Sequence, residues 1–199
     1  MRHFGYLSAA ETGALFASPP QPPMLFVRVR DAAQIPRLVA RLGAAASVLD
    51  GFVMPKFTAT SGTEYQHALD EADATAGTAL LAMPVIESGA VLYAETRVDE
   101  LTRLRALLHR DRRRILAVRL GATDLCALYG LRRSPGLSIY DVKVVSSLIA
   151  DVVNVLGRAD GSGFAVTGPV WEYYAGARAF GVAADDVSFV DLLAASLPR

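Results

Sequence analysis

Apolar and polar positions along this chain follow a repeating two-part rhythm. The segment LFVRVR (25–30) alternates apolar and basic residues, as a strand does. The following DAAQIPRLVARLGAAASVLD has helical spacing, with Asp31 placed to cap it. GFVMPKF (51–57) is a short apolar run, and the SGTEYQHALDEADA stretch after it carries Ser61 and Glu64 at capping-box spacing. A third strand lies in ALLAMPVIES. The helix VDELTRLRALLHR beyond it sets Leu101, Leu104, Leu107 and Leu108 on one face, with arginines between them. RILAVRLGATD (114–124) predicts a fourth strand, followed by the polar loop GLRRSPGLSIYD and the apolar helix VKVVSSLIADVVNVLG. GFAVTGPV (163–170) predicts a fifth, followed by WEYYAGARAF.

Apolar strands alternating with amphipathic helices imply parallel strands, because parallel neighbours need crossover connections and helices supply them. The predicted class is therefore α/β. Doubly wound sheets and barrels share this rhythm, yet no Gly-rich dinucleotide or phosphate loop follows any strand. Polar residues collect instead at the C-terminal strand ends: Arg28, Lys56, Glu87, Asp124, and Thr167 with Glu172 just beyond. Parallel barrels gather their chemistry at that rim.

Composition narrows the classes of function. The chain has 199 residues, 52% hydrophobic and 20% charged, enough apolar surface to offset the entropy of ordering one domain spanning 1–199. No apolar run reaches the roughly 18 to 20 residues a membrane-spanning helix needs. The first residues, MRHFGYLSAAETGALF, lack the layout of a secretory signal, so a cytoplasmic location and no membrane partner are expected. Formal net charge is zero, which gives no long-range field for nucleic acid. The one basic run, HRDRRR (109–114), reads as a solvated helix end, since cations favour helix C-termini. RNA binding through that run and Arg132 with Arg133 is the weaker reading. The lone Cys126 cannot form an internal disulfide and reads as core, and His3, His67 and His109 show no ligand spacing.

Glu87 and Asp124 close two successive predicted strands, so their side chains should converge on one rim. Two carboxylates completed by water and backbone oxygens suit Mg²⁺, a hard ion that keeps substrate and water ligands. Each carboxylate taken singly is equally read as a cap on the helix that follows. A metal there could chelate a 2-oxo or 2-hydroxy acid while a nearby guanidinium steadies an enolate. Arg28 and Arg30 point the same way along one strand and Arg119 sits inside an apolar strand, so at least one of these arginines should face a buried or functional polar partner, with Arg30 itself expected in solvent. The Arg132–Arg133 pair is a phosphate or carboxylate clamp or a loop anchor. Trp171, Tyr173 and Tyr174 are pocket walls or core.

FVRVR (26–30), VMPKF (53–57), MPVIES (83–88) and RLGATD (119–124) together resemble the HpcH/HpaI aldolase and citrate lyase β-subunit superfamily, a group of Mg²⁺-dependent TIM barrels. HFGYL near the start, PKFT, GLRRSPGLSIYD (130–141) and TGPVWEYY (167–174) resemble one branch more closely, the carbon-carbon bond lyase-like barrels of tellurium-resistance stress gene clusters. The resemblance implies that Glu87 and Asp124 bind Mg²⁺ and that Arg28 contacts substrate. It also implies cleavage or condensation of acyl-CoA thioesters, or aldol cleavage of hydroxy-oxo acids.

The chain departs from that pattern at both ends. A Leu-Glu-Asp-Ala-like acidic motif and a closing Ile-His-Pro motif are absent, and residues 1–23 stand where the first barrel strands belong. Five strands do not close an eight-stranded barrel, so a shortened, incomplete or atypically closed barrel is expected, as a homo-oligomer. The leading expectation is a Mg²⁺-dependent lyase acting on a carboxylate or acyl-CoA. Its catalytic residue would be Arg28, with substrate contacts from Lys56, Arg119, Arg132 and Arg133. The alternative is a catalytically silent binding or scaffold protein of a stress-response cluster.

Overall fold

The computed structural model describes residues 23–132 and 137–169. Its five strands are β1 (Phe26–Arg28), β2 (Gly51–Met54), β3 (Leu81–Ile86), β4 (Val118–Leu120) and β5 (Val166–Thr167). Between them run helices α1 (Gln34–Leu42), α2 (Ala59–Ala76), α3 (Gly89–Leu92), α4 (Ala94–Arg110), α5 (Ala122–Ala127) and α6 (Lys143–Leu156). All neighbouring strands pair in parallel, and their spatial order is the order of the chain, β1 to β5. A doubly wound sheet would reverse direction at a switch point. Sequential order without reversal is the arrangement of a barrel wall, and among the described residues that wall stays open.

Register divides the sheet into two faces. Arg28 pairs with Val53 and Val53 with Met83, while Val85 pairs with Arg119 and Arg119 with Thr167. Because side chains alternate along each strand, all of these share one face. The opposite face carries Phe52, Met54, Ala82, Ile86, Val118 and Leu120, all buried in the cluster that includes Ile35 and Val39 of α1, Leu69 of α2 and Leu148 of α6. The described helices therefore pack on that side. The leucine face expected of α4 is present, with Leu101, Leu104, Leu107 and Leu108 all buried, each such side chain contributing about 1.5–3 kcal/mol.

Several local expectations are corrected. Ser61 and Glu64 do not form a capping box. The helix begins earlier, where Thr58 Oγ1 accepts from the Ser61 amide and Ser61 Oγ accepts from the Thr58 amide, each at 3.0 Å. The fourth strand ends at Leu120, so Asp124 sits in the first turn of α5 and not on a strand. Asp31 Oδ1 does accept from the Gln34 amide at 3.0 Å, although the residue preceding α1 is Ala33. HRDRRR is more than a solvated helix end. Arg112 clasps the carbonyls of Gly161, Ser162 and Gly163 and lies over the Phe164 ring, while Arg114 bridges Asp70 and Asp73. Among the described residues no helix is long and apolar enough to cross a membrane. Arg133, the N-terminal segment 1–22 and the aromatics Trp171, Tyr173 and Tyr174, together with Glu172, lie outside the described residues.

Candidate functional site

Two carboxylates are buried in the described structure, Glu87 and Glu100, each only 3% exposed. Their surroundings differ. Glu100 of α4 accepts the Ala59 amide at 2.7 Å, capping the N-terminus of α2, and its other oxygen takes Arg103 at 2.9 Å. Both of its oxygens are thus used in holding helices, as the positive end of a helix favours.

Glu87 follows Ile86 at the end of β3, and strand alternation continues Met83 and Val85 on to it, toward the face opposite the described helices. One oxygen, Oε1, accepts the Lys56 backbone amide at 2.9 Å and Arg28 Nη2 at 3.1 Å. Lys56 can aim its amide there because its backbone is left-handed, φ 50°, a conformation that costs a branchless non-glycine residue about 1–3 kcal/mol. The bend is pinned on both sides. Tyr65 of α2 donates its hydroxyl to the Pro55 carbonyl at 3.2 Å, and the Phe57 amide donates to the Val85 carbonyl at 3.0 Å.

The other oxygen, Oε2, takes neither of these donors. It faces Gly121, where a Cβ would lie 2.0 Å away, so only a glycine leaves the carboxylate its place. The Gly121 amide donates to the Ile86 carbonyl at 3.1 Å, which draws the start of α5 against the end of β3. That brings Asp124 within hydrogen-bonding reach of Glu87. Burial pushes the Glu87 carboxyl above the ordinary carboxylate range. The Lys56 amide and Arg28 pull it back in part, and the neighbouring charge of Asp124 pushes it up again. The Tyr65 phenol is pushed up to about 12, first by burial and then by the negative charges of Asp31 and Glu87, so it remains a donor.

A family model described as C-C bond lyase of the TIM-barrel fold matches residues 6–194. The chain belongs to this family. No curated protein and no solved structure matches it. Membership in the TIM-barrel C-C bond lyases agrees with the sequential parallel sheet, and it gives the C-terminal strand rim, where Glu87 stands, the position at which such barrels carry their sites.

The donor set of this lyase-family chain fits Mg²⁺. Two carboxylates this close repel unless a proton or a cation lies between them, and the Glu87 oxygen that Lys56 and Arg28 do not use lies beside Gly121, at the start of the helix that carries Asp124. Among the described residues no third His, Cys, Asp or Glu joins them. A divalent ion there would complete its shell with water and substrate, as Mg²⁺ prefers.

The other expected residues are placed unevenly. Arg28 is at the site, its side chain 55% exposed and bound to Glu87. Lys56 arrives by its backbone, with its side chain in solvent. Arg119 lies on the same sheet face, one step below Glu87 along the strands. Arg132 is exposed on the connection after α5. Gly121 and Tyr65 were not read from sequence as site residues. Gly121 carried a signal, three residues before Asp124 in LGATD, whereas Tyr65 is one aromatic among many on a helix.

Proposed function

We propose that this protein is a Mg²⁺-dependent carbon-carbon lyase of the citrate lyase β-subunit and HpcH/HpaI aldolase kind, acting on a 2-oxo or 3-hydroxy acid or its CoA thioester. The observation that carries the reading is the buried Glu87 carboxyl, within hydrogen-bonding reach of Asp124, whose Oε2 is used by neither the Lys56 amide nor Arg28. Glu87 and Asp124 would hold the metal, which when bound supplies Lewis-acid polarisation of the substrate carbonyl.

The remaining work falls to the chain. Cleaving a carbon-carbon bond beside a carbonyl leaves the electron pair as an enolate, and a fixed cation lowers that barrier. Arg28 is suited to this task, since Glu87 orients one nitrogen of its guanidinium and more than half of the side chain remains accessible. The fork also binds a carboxylate through two parallel hydrogen bonds. Lys56, on its strained turn, and the exposed Arg132 on the connection after α5 are further candidates for substrate contacts. The Lys56 amide keeps Glu87 from rotating away when its charge is exposed to the metal.

Calorimetric titration of Mg²⁺ into the purified protein, with and without a 2-oxo acid, tests the reading. Binding that the acid tightens, and that Glu87→Gln or Asp124→Asn removes, supports it. Absence of Mg²⁺ binding to the unaltered protein overturns it.

A further inference from the structure

Five arginines among the described residues are half-buried: Arg97, Arg105, Arg112, Arg114 and Arg119. The fold gives four of them fixed acceptors. Arg97 donates to Asp151 and to the carbonyls of Val91 and Leu92, and Arg105 to the Val155 carbonyl and Ser162. Arg112 holds three loop carbonyls and Arg114 two aspartates. Arg119 alone makes no hydrogen bond or ion pair. Its half-buried guanidinium is therefore open to an outside acceptor, and none within the described fold engages it.

Its direction follows from its neighbours in β4. Val118 and Leu120 are buried on the helix-covered side, so Arg119 projects from the opposite face. Directly beside it in register stand Val85 on β3 and Thr167 on β5. Two residues further along those strands come Glu87 and Gly121, a separation of roughly 7 Å along the strand direction. One face of the sheet therefore presents a carboxylate pair at the rim and, one layer deeper, an unpaired guanidinium with a hydroxyl at its side.

We propose that Arg119, assisted by the Thr167 hydroxyl, binds a second carboxylate of the substrate and so selects short 2-oxo diacids over 2-oxo monoacids. This rests on the lyase reading of the site, because the oxo acid end must be held near Glu87 and Asp124. The Arg119 fork matches a carboxylate in plane, and the apolar Val85 beside it strengthens the pairing by excluding water. A monoacid with a methyl in place of the distal carboxylate leaves the guanidinium unpaired, which is where discrimination of this kind arises.

The test compares oxaloacetate with 2-oxobutyrate, and 2-oxoglutarate with 2-oxovalerate, each pair matched in carbon number, by calorimetry on the full chain in Mg²⁺. In the unaltered protein one diacid should bind at least about tenfold more tightly than its monoacid twin. Arg119→Met should abolish that preference and leave monoacid affinity unchanged, while Arg119→Lys should keep part of it. Thermal unfolding establishes that each variant is folded. Should Arg119→Met fail to fold, the unaltered protein and Arg119→Lys decide, and a full preference retained in the lysine variant overturns the assignment. Equal binding of diacids and monoacids by the unaltered protein, or a preference that survives Arg119→Met, also overturns it while leaving the lyase reading intact. Failure to bind Mg²⁺ at all overturns both.

Discussion

Gly121 and Glu87 compete for one space: a Cβ on residue 121 would lie 2.0 Å from Glu87 Oε2 and 2.6 Å from the Glu87 Cβ. Gly121→Ala must therefore displace the carboxylate or separate β3 from the start of α5. The expected cost is about 1–3 kcal/mol in stability. Mg²⁺ affinity should fall by roughly tenfold or more, equivalent to about 1.4 kcal/mol. Chemical denaturation and calorimetry read the two effects separately.

Metal binding should depend on pH through Glu87. Its carboxyl titrates above the ordinary carboxylate range, chiefly from burial, and Mg²⁺ needs the charged form. Affinity is thus full above the raised pKa and declines as pH falls through it. In metal-free protein the dependence runs the other way. A carboxyl raised in the folded state binds its proton more tightly there, so its contribution to stability is fully present below the unfolded pKa and is lost as pH rises through the folded one. Thermal unfolding of metal-free protein across pH should show Glu87→Gln gaining on the unaltered chain as pH rises.

Arg28→Ala separates chemistry from stability. The pair with Glu87 is exposed on the arginine side, so its loss should change stability by no more than about 1 kcal/mol. Turnover should fall by roughly a hundredfold or more if this guanidinium carries enolate charge. Steady-state kinetics together with thermal unfolding distinguish this outcome from a structural role, and Arg28→Lys should recover only part of the rate because the fork is lost.

Tyr65→Phe leaves the Pro55 carbonyl without its donor. The expected loss is about 1–2 kcal/mol of stability, measured by urea denaturation. Because this bend aims the Lys56 amide at Glu87, Mg²⁺ affinity should weaken as well.

Glu100→Ala is the matching control. It removes the cap on the α2 amide and should cost about 1–2 kcal/mol. The loss should leave Mg²⁺ affinity unchanged, because both Glu100 oxygens face helix groups and an arginine on its own helix.

The helix positions of the α/β pattern were legible because burial imposes a local period. The four leucines of α4 and the alternation in LFVRVR follow from each element having one covered face. Strand ends were less legible. RILAVRLGATD reads as one apolar run, yet the strand is only Val118–Leu120, with Arg119 and Leu120 pairing to β3 and Val118 and Arg119 to β5, since ladder length depends on what those neighbours offer. The Thr58 cap was missed for a similar reason, because two hydroxyl residues three apart satisfy the same donors as the expected Ser–Glu box.

By itself, then, the sequence determined the alternation of strands and helices, the placing of Arg28, Lys56 and Glu87 at strand ends, and the conspicuous carboxylate in MPVIES. These are matters of spacing along one chain. The tertiary structure alone decided that Lys56 serves Glu87 through its amide, that Gly121 makes room for Oε2, that Glu100 is a cap, and that Arg119 stays unpaired while four other half-buried arginines are satisfied. Hydrogen-bond partners separated by thirty or more residues are chosen by packing in three dimensions, and no local period records them.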